Sequence, residues 1–535
     1  MLKNIGIIII ILMFGSCMIG PRFMSSVDQA PMPESAYDKT DRDKHNLFAR
    51  VSEAPNSSLI SEETNREKYA HLEENLTKQV SEHPVSTFSI DVDTGSYTNV
   101  RRMLNQGRLP QYDAIRIEEM INYFNYAYPS PKTLDPPFKV TTEIAPTPWN
   151  NQTYLLHIGI KGFEIPKTQL PPANLVFLID VSGSMASSNK LELLKIALEL
   201  LSKQLTAKDK VSLVVYAGAS GLVLEPTSGN QYGKIKAALT RLNAGGSTNG
   251  GSGIQLAYAV AKQGFIENGI NRILLATDGD FNVGTVDFNA LKNLVIEKRK
   301  TGISLTTLGF GTGNYNDNLM EQLADAGNGN YAYIDTLKEA QKVLVDEIAS
   351  TINTIAKDVK IQLEFNHATV AEYRLIGYEN RKLNREDFNN DKIDAGEIGA
   401  GHTVTALYEI ALTGSSGKRL ETLRYGKKNP ENFPEKPHSD ELAFLRLRYK
   451  APNGNTSKLL EWPILRSSIE NTDRFRFAAA VAAFGQQLRD GKYLNQFSYA
   501  DILNLAKNSR GKDSFGYRSE FIQLVKLAQS LSDNP

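Results

Sequence analysis

The chain has 535 residues, of which 41% are hydrophobic and 22% charged, and its 60 lysines and arginines balance 60 aspartates and glutamates. That length exceeds one ordinary core and predicts ~3 to 4 domains of soluble, globular character. A net charge of zero, with two tryptophans and no interleaving of basic and aromatic residues, argues against nucleic-acid binding and against long-range attraction to anionic surfaces.

Residues 1–16 read as a signal peptide: Lys3 precedes an apolar run from Ile5 to Phe14, and Gly15-Ser16 follow. The run is too short to span a bilayer, which takes ~20 residues. Cys17 comes next and is the single cysteine of the chain, which excludes an intramolecular disulfide. A lone cysteine directly after a signal core resembles the bacterial lipobox. That resemblance implies diacylation of Cys17 and a lipid anchor in a membrane of the cell envelope; the alternative is an ordinary cleaved signal. From residue 18 to about 84 the sequence is polar, carries Pro-Met-Pro and Asn-Ser-Ser, and keeps no period. With the lipidated Cys17 it is expected to form a disordered tether over 17–84, with a transient or docking helix at Glu62–Lys78.

Order is expected from Ser86–Ile90, a short strand opening an N-terminal α+β segment over 85–172. Asp93 or Thr94 would cap a helix at Ser96–Asn105, and a second helix is predicted at Ile115–Phe124. Alternation marks strands at Phe138–Ile144 and Thr153–Ile160. Over 173–356 apolar runs alternate with amphipathic ones. Strands are predicted at 174–180, 211–217, 221–225, 271–277, 303–309 and 331–334. Helices are predicted at 190–205, 231–243, 252–265, 287–300, 316–326 and 337–353. Strands apolar on both faces and separated by helices imply a doubly wound α/β domain with a parallel sheet. Ligands of such sheets gather at the carboxyl ends of the strands.

Beyond Ile355 period-2 alternation returns at Val359–Phe365, Tyr373–Tyr378, His402–Ala411 and Glu441–Lys450. This β-rich domain, 357–460, would be satisfied by a flanking β-sandwich that shares the 138–160 strands. The C-terminal domain, 461–535, is helical at Phe475–Leu488, Tyr499–Lys507 and Ser519–Ser530, and its Ala478–Ala483 run invites close packing.

Three loops at strand ends carry hard oxygen ligands. Asp180-Val181-Ser182-Gly183-Ser184 follows the apolar run Asn174–Ile179, Asn243–Asn249 places Thr248 after a glycine-rich turn, and Ile273–Thr277 ends in Asp278-Gly279. Carboxylates and hydroxyls on tight turns suit Mg²⁺, which favours octahedral oxygen ligation. For the pentapeptide alone a competing reading has Ser182 and Ser184 capping the next helix and Asp180 in a turn hydrogen bond. Together the three pieces resemble the metal-ion-dependent adhesion site, or MIDAS, of von Willebrand factor A-type domains. The resemblance implies that Ser182, Ser184 and Thr248 coordinate Mg²⁺ or Mn²⁺ directly. It also implies that Asp180 and Asp278 hold the metal, often through water, and that a partner's carboxylate completes the shell. Asp280 reads as solvated charge, the alternative being a supporting place behind the metal ligands.

Ser89–Tyr97, Tyr216–Gly221, Leu308–Gly313, Arg374–Arg381 and Arg476–Gly485 are similar to a bacterial family often labelled YfbK-like. That family carries a dedicated N-terminal segment, the A-type domain and a further C-terminal domain, and the similarity covers roughly 86–530.

Asp387-Phe388-Asn389-Asn390-Asp391 begins like a calcium loop, with Lys392 in place of the turn glycine and Ile398 in place of the bidentate glutamate. Ca²⁺ there would draw on Asp394 and Glu397; the alternative is a solvated acidic loop. Asp91-Val92-Asp93-Thr94 resembles the haloacid-dehalogenase nucleophile motif, with Gly95 where that motif has Thr or Val, and a helix cap is the favoured reading. Zinc-ligand spacing, a nucleophile elbow and a P-loop are absent from the sequence, so neither catalysis nor a small-molecule substrate is expected. The sequence thus predicts a lipid-anchored bacterial envelope protein, on the periplasmic or outer-membrane face, that engages an exposed Asp or Glu of a partner protein through its metal. The alternative is a structural or assembly factor whose metal is closed by a carboxylate of its own chain.

Overall fold

The computed structural model describes residues 66–246, 250–279, 288–421, 438, 440–467 and 470–533. Six strands form the sheet of the α/β domain, in the order Tyr331–Ile334, Ser304–Phe310, Ile270–Thr277, Ala173–Asp180, Lys210–Tyr216 and Ser220–Ser228. Neighbours run parallel except the last pair, an antiparallel hairpin. Every residue of Ala173–Asp180 and Ile270–Thr277 is buried, as strands covered on both faces must be. Alternate side chains divide between two cores. Leu175, Phe177 and Ile179 meet Leu194 and Leu198 of the helix Leu193–Ser202 on one side. Val176 and Leu178 meet Ile254 and Ala257 of the helix Gly250–Gln263 on the other. This is the doubly wound fold that the periodicity predicts.

Two antiparallel sheets flank it. One runs Lys78–Gln79, Val370–Ile376, Thr403–Leu412, Asn150–Gly162 and Phe138–Thr147. The other joins Gly396–Gly399, Thr354–Phe365, Glu441–Lys450 and Ser457–Leu465, with Val85–Ser89 also paired to Thr354–Phe365. Leu156, Ile158 and Ile160 pack with Ile361, Leu363 and Leu445 in one core, so strands of the 138–162 stretch complete a sandwich with those after 354. The adjacent residue Leu155, which points the other way, belongs to a helical core. There the helix Asp473–Leu488 packs with Gly95–Asn105 and Ile117–Asn122, so the N- and C-terminal stretches share one interior. The Ala478–Ala483 run is wholly buried in that core.

Several expectations change. The described part of the expected tether and helix, 66–84, is an extended strap laid on the body. Lys68 bridges Asn316, Leu72 and Val80 are buried, and Lys78–Gln79 adds a strand to the sandwich. The Glu67 carboxylate accepts from Arg102 and from the Gly313 amide, partners too distant in sequence for composition to reveal. Thr94 precedes the helix Gly95–Asn105 without a side-chain cap bond, and Asp93 instead accepts the Tyr331 amide. A further strand, Ser457–Leu465, lies at a sheet edge, mostly outward, and tolerates Pro463 there. The signal peptide and Cys17 lie outside the described residues. Among those described, no helix is long and apolar enough to cross a membrane.

Candidate metal centre

Asp180 ends its strand, and the neighbouring strand ends one residue before Asp278. Parallel pairing of Ile179 with Ala276 brings both carboxylates to one edge of the sheet. Both residues are fully buried. Asp180 Oδ1 accepts the Ser182 amide at 2.9 Å, and Oδ2 accepts the hydroxyls of Thr277 at 2.9 Å and Tyr216 at 3.3 Å. Burial raises the Asp180 pKa, and the negative charge of Asp278 adds to the rise against the opposing hydrogen bonds of Ser182. A cation at this edge would offset that cost.

The Ser182 and Ser184 hydroxyls stand 3.0 Å apart. Two adjacent ligands of an octahedral ion, each at ~2.1 Å, are themselves ~3 Å apart, so the pair has the spacing Mg²⁺ requires. The Gly183 amide donates to the Gly246 carbonyl at 3.0 Å, and the Gly245 amide to the Val181 carbonyl at 2.7 Å. These bonds stitch the glycine-rich loop to the pentapeptide. Gly246 has φ of 87°, a conformation that disfavours any side chain. Thr248 and Asp280 lie outside the described residues. The four described members of the predicted set, Asp180, Ser182, Ser184 and Asp278, share this edge, and their donor chemistry fits Mg²⁺ or Mn²⁺.

Lys190 and Asn314 belong here too, although motif reading passed over them. Lys190 Nζ lies 2.8 Å from Asp278 Oδ2 and 3.3 Å from Asn314 Oδ1. Its stem crosses Gly311, where a β-carbon would collide with it. It sits in a widened π turn, Ser188–Glu192, of the kind often found at functional sites. One signal was legible: a lysine at a helix start opposes the helix dipole, which usually favours acids there.

In the Asp387–Asp391 loop the expected ligands hold protein partners. Asp387 Oδ2 accepts the Asn384 amide, Asn389 Oδ1 accepts from Arg448, and Asp391 Oδ2 accepts the Ser457 amide. Lysine ammoniums hold the loop's carbonyls. Lys360 Nζ donates to Asp387 at 3.1 Å and Asn390 at 2.6 Å, and Lys450 Nζ donates to Asp391 at 2.7 Å. Asp91 is likewise engaged: its carboxylate accepts the Asp93 amide and pairs with Arg381 in a buried seam. It serves neither as a helix cap nor as an open nucleophile.

A family model described as "von Willebrand factor type A domain" matches residues 175–280, and one described as "von Willebrand factor" matches 63–157. A third, "Uncharacterized protein YfbK, C-terminal", matches 350–531. Human inter-alpha-trypsin inhibitor heavy chain H4 is 30% identical over 148 residues, 26% of this chain and 16% of that protein. The magnesium-chelatase 60 kDa subunit of Rhodobacter capsulatus is 35% identical over 125 residues, 23% of this chain and 22% of that protein. Among solved structures, a von Willebrand factor type A protein from Catenulispora acidiphila aligns with 73% of this chain and 88% of its own, at 15% identity and a TM-score of 0.40. The Escherichia coli K12 protein described as "Uncharacterized protein YfbK" is 47% identical over 494 residues, 91% of this chain and 85% of that one. This chain therefore belongs to the YfbK family of von Willebrand factor A-type domain proteins.

Proposed function

We propose that the protein is a non-enzymatic, envelope-anchored binding module that engages an acidic group of a partner protein through Mg²⁺ or Mn²⁺ at the Asp180 edge. The observation that carries this reading is the 3.0 Å pair of Ser182 and Ser184 hydroxyls beside two buried carboxylates. Ser182 and Ser184, with Thr248 by resemblance, would hold the ion. Once bound, the ion supplies an electrophilic position for a carboxylate, because neutral hydroxyls quench little of its charge. The chain's own part is orientation. Thr277 and Tyr216 fix Asp180, Asp180 fixes the Ser182 turn, and Lys190 neutralises Asp278.

A carboxylate from outside is favoured over one from the same chain. The hydrogen bonds of Asp180, Ser182 and Ser184 described above stay within the α/β domain, and Gly183 and Ala186–Asn189 beside them are exposed. Titration calorimetry on the chain without its signal segment tests the site: the parent should bind Mg²⁺ and Asp180→Ala should not, and equal binding by both would remove the assignment. The anchor rests on the signal-like 1–16 and on Cys17. Cys17→Ser should move the protein from the membrane fraction to the soluble one, and an unchanged distribution would refute lipidation.

A further inference from the structure

Outside the α/β domain, Asp358, Asp394 and Glu397 each place one carboxylate oxygen within 4.8 Å of the others. Asp358 sits in the strand Thr354–Phe365 where its register with both neighbouring strands slips. Its Oδ1 accepts the Ala395 amide at 3.2 Å, and its Oδ2 the Lys450 ammonium at 2.6 Å. Asp394 Oδ2 pairs with Arg299 at 2.6 Å. Glu397 differs from both. It is 7% exposed, and its Oε1 is buried with no hydrogen-bond partner.

Three carboxylates therefore share two ion-paired cations, and one oxygen of the innermost lacks a donor. A buried carboxylate in that position takes up either a proton or a cation. Burial, then the charges of Asp394 and Asp358, raises the Glu397 pKa well above the ordinary range, so the neighbouring acids reinforce that demand. Ca²⁺ binds oxygens at ~2.3–2.6 Å in flexible geometry and so accepts ligand pairs up to ~5 Å apart, a range that takes in the whole cluster. Lys450 and Arg299 do not block the cluster, since an ionised carboxylate offers about four acceptor positions.

We propose that Asp358, Asp394 and Glu397 form a Ca²⁺ site that pins the segment after Asn390 to the bulged strand of the sandwich. Asp394 is exposed and leaves the rim open to water, which completes the coordination shell. The site uses none of Asp387, Asn389 and Asp391, and it does not depend on the Mg²⁺ reading at Asp180.

The test uses chelator-treated protein carrying Asp180→Ala, which silences the other site, with Ca²⁺ added in calorimetry and thermal melting. Ca²⁺ uptake with a raised Tm is expected, and Glu397→Gln in the same background should weaken uptake about 100-fold. Gln copies the shape of a protonated Glu, so this variant should fold. If it does not, Asp394→Asn on the exposed rim should weaken uptake in the same direction. No Ca²⁺ uptake at millimolar concentration, or uptake indifferent to these substitutions, would mean that a proton fills the cluster and overturn the proposal.

Discussion

The open edge around Asp180 and the closed seam around Arg116 and Arg381 use the same charged side chains in opposite ways. At the edge, the buried Asp180 carboxylate meets hydroxyls, and the flexible Lys190 reaches the buried Asp278. At the seam, the helix Asp317–Ala326 of the α/β domain meets residues 91–119 and Arg381. There Arg381 bonds Asp91, Asp93, Glu321 and Asp325 at 2.7–3.5 Å, and Arg116 bonds Glu119 and Asp317. Asp91, Glu119 and Glu321 also bring oxygens within 4.8 Å of one another, a spacing a metal would accept. Each of them pairs with a buried arginine and none leaves a buried oxygen without a donor, so this cluster is a joint. The difference teaches that spacing alone does not make a metal site; it matters whether buried guanidinium forks already satisfy every acid. Arg381→Met tests the joint hardest. It strands four acids around a buried position and should cost ~3–5 kcal/mol, read as a lower denaturant midpoint. A variant as stable as the parent would make the seam incidental and break the comparison.

The seam also contains an acid that its arginines do not satisfy. Glu118 is fully buried, and burial, with the charges of Glu379 and Asp91, pushes its pKa up to about 7 from an ordinary 4.5. A carboxyl whose pKa is raised on folding stabilises fully below its unfolded value, and that contribution is lost as pH rises through the folded value. Glu118→Gln should therefore change little at pH ~5 and stabilise at pH ~8 by at most ~3 kcal/mol. Urea denaturation at the two pH values reads the difference. If the gain is the same at both, Glu118 does not titrate in the fold.

Much of the edge was legible in sequence and almost none of the seam. Asp180, Ser182, Ser184 and Asp278 stand at the ends of apolar strands, so periodicity and ligand chemistry place them within a few residues of local pattern. The seam's partners lie far apart: Arg116 is 201 residues from Asp317, Arg381 is 290 from Asp91, and Arg101 is 419 from Glu520. Locally, each such charge looks like a solvated one. Arg101 and Arg102 follow one another in a helix buried on nearly every side, a pattern that an amphipathic reading cannot anticipate. The partners of Asp387–Asp391 were hidden for a related reason. The composition there matched a calcium loop, but Lys360 and Lys450 reach its carbonyls from strands elsewhere in the sandwich. The strap over 66–84 was hidden by polar composition, because a few long-range bonds through Glu67 order it.

The smaller tests sharpen the edge itself. Lys190 is a tethered cation, and a divalent ion near Asp278 must share or displace it. Lys190→Met should therefore tighten Mg²⁺ binding about tenfold, ~1.4 kcal/mol, by removing like-charge repulsion. Binding that weakens instead would mean that the lysine supports the metal-bound form. Thr277→Val should act in the opposite direction and by less. Its hydroxyl donates to Asp180 Oδ2 at 2.9 Å and accepts the Gly279 amide at 3.2 Å, and a valine of the same shape keeps the packing while dropping both bonds. The bond that orients Asp180 is worth ~1 kcal/mol, so Mg²⁺ affinity should fall about fivefold in calorimetry. If Thr277→Val binds Mg²⁺ as the parent does, Asp180 is positioned by the Ser182 turn alone. The orientation of the edge would then reside in the pentapeptide, and its strand neighbours would only exclude water.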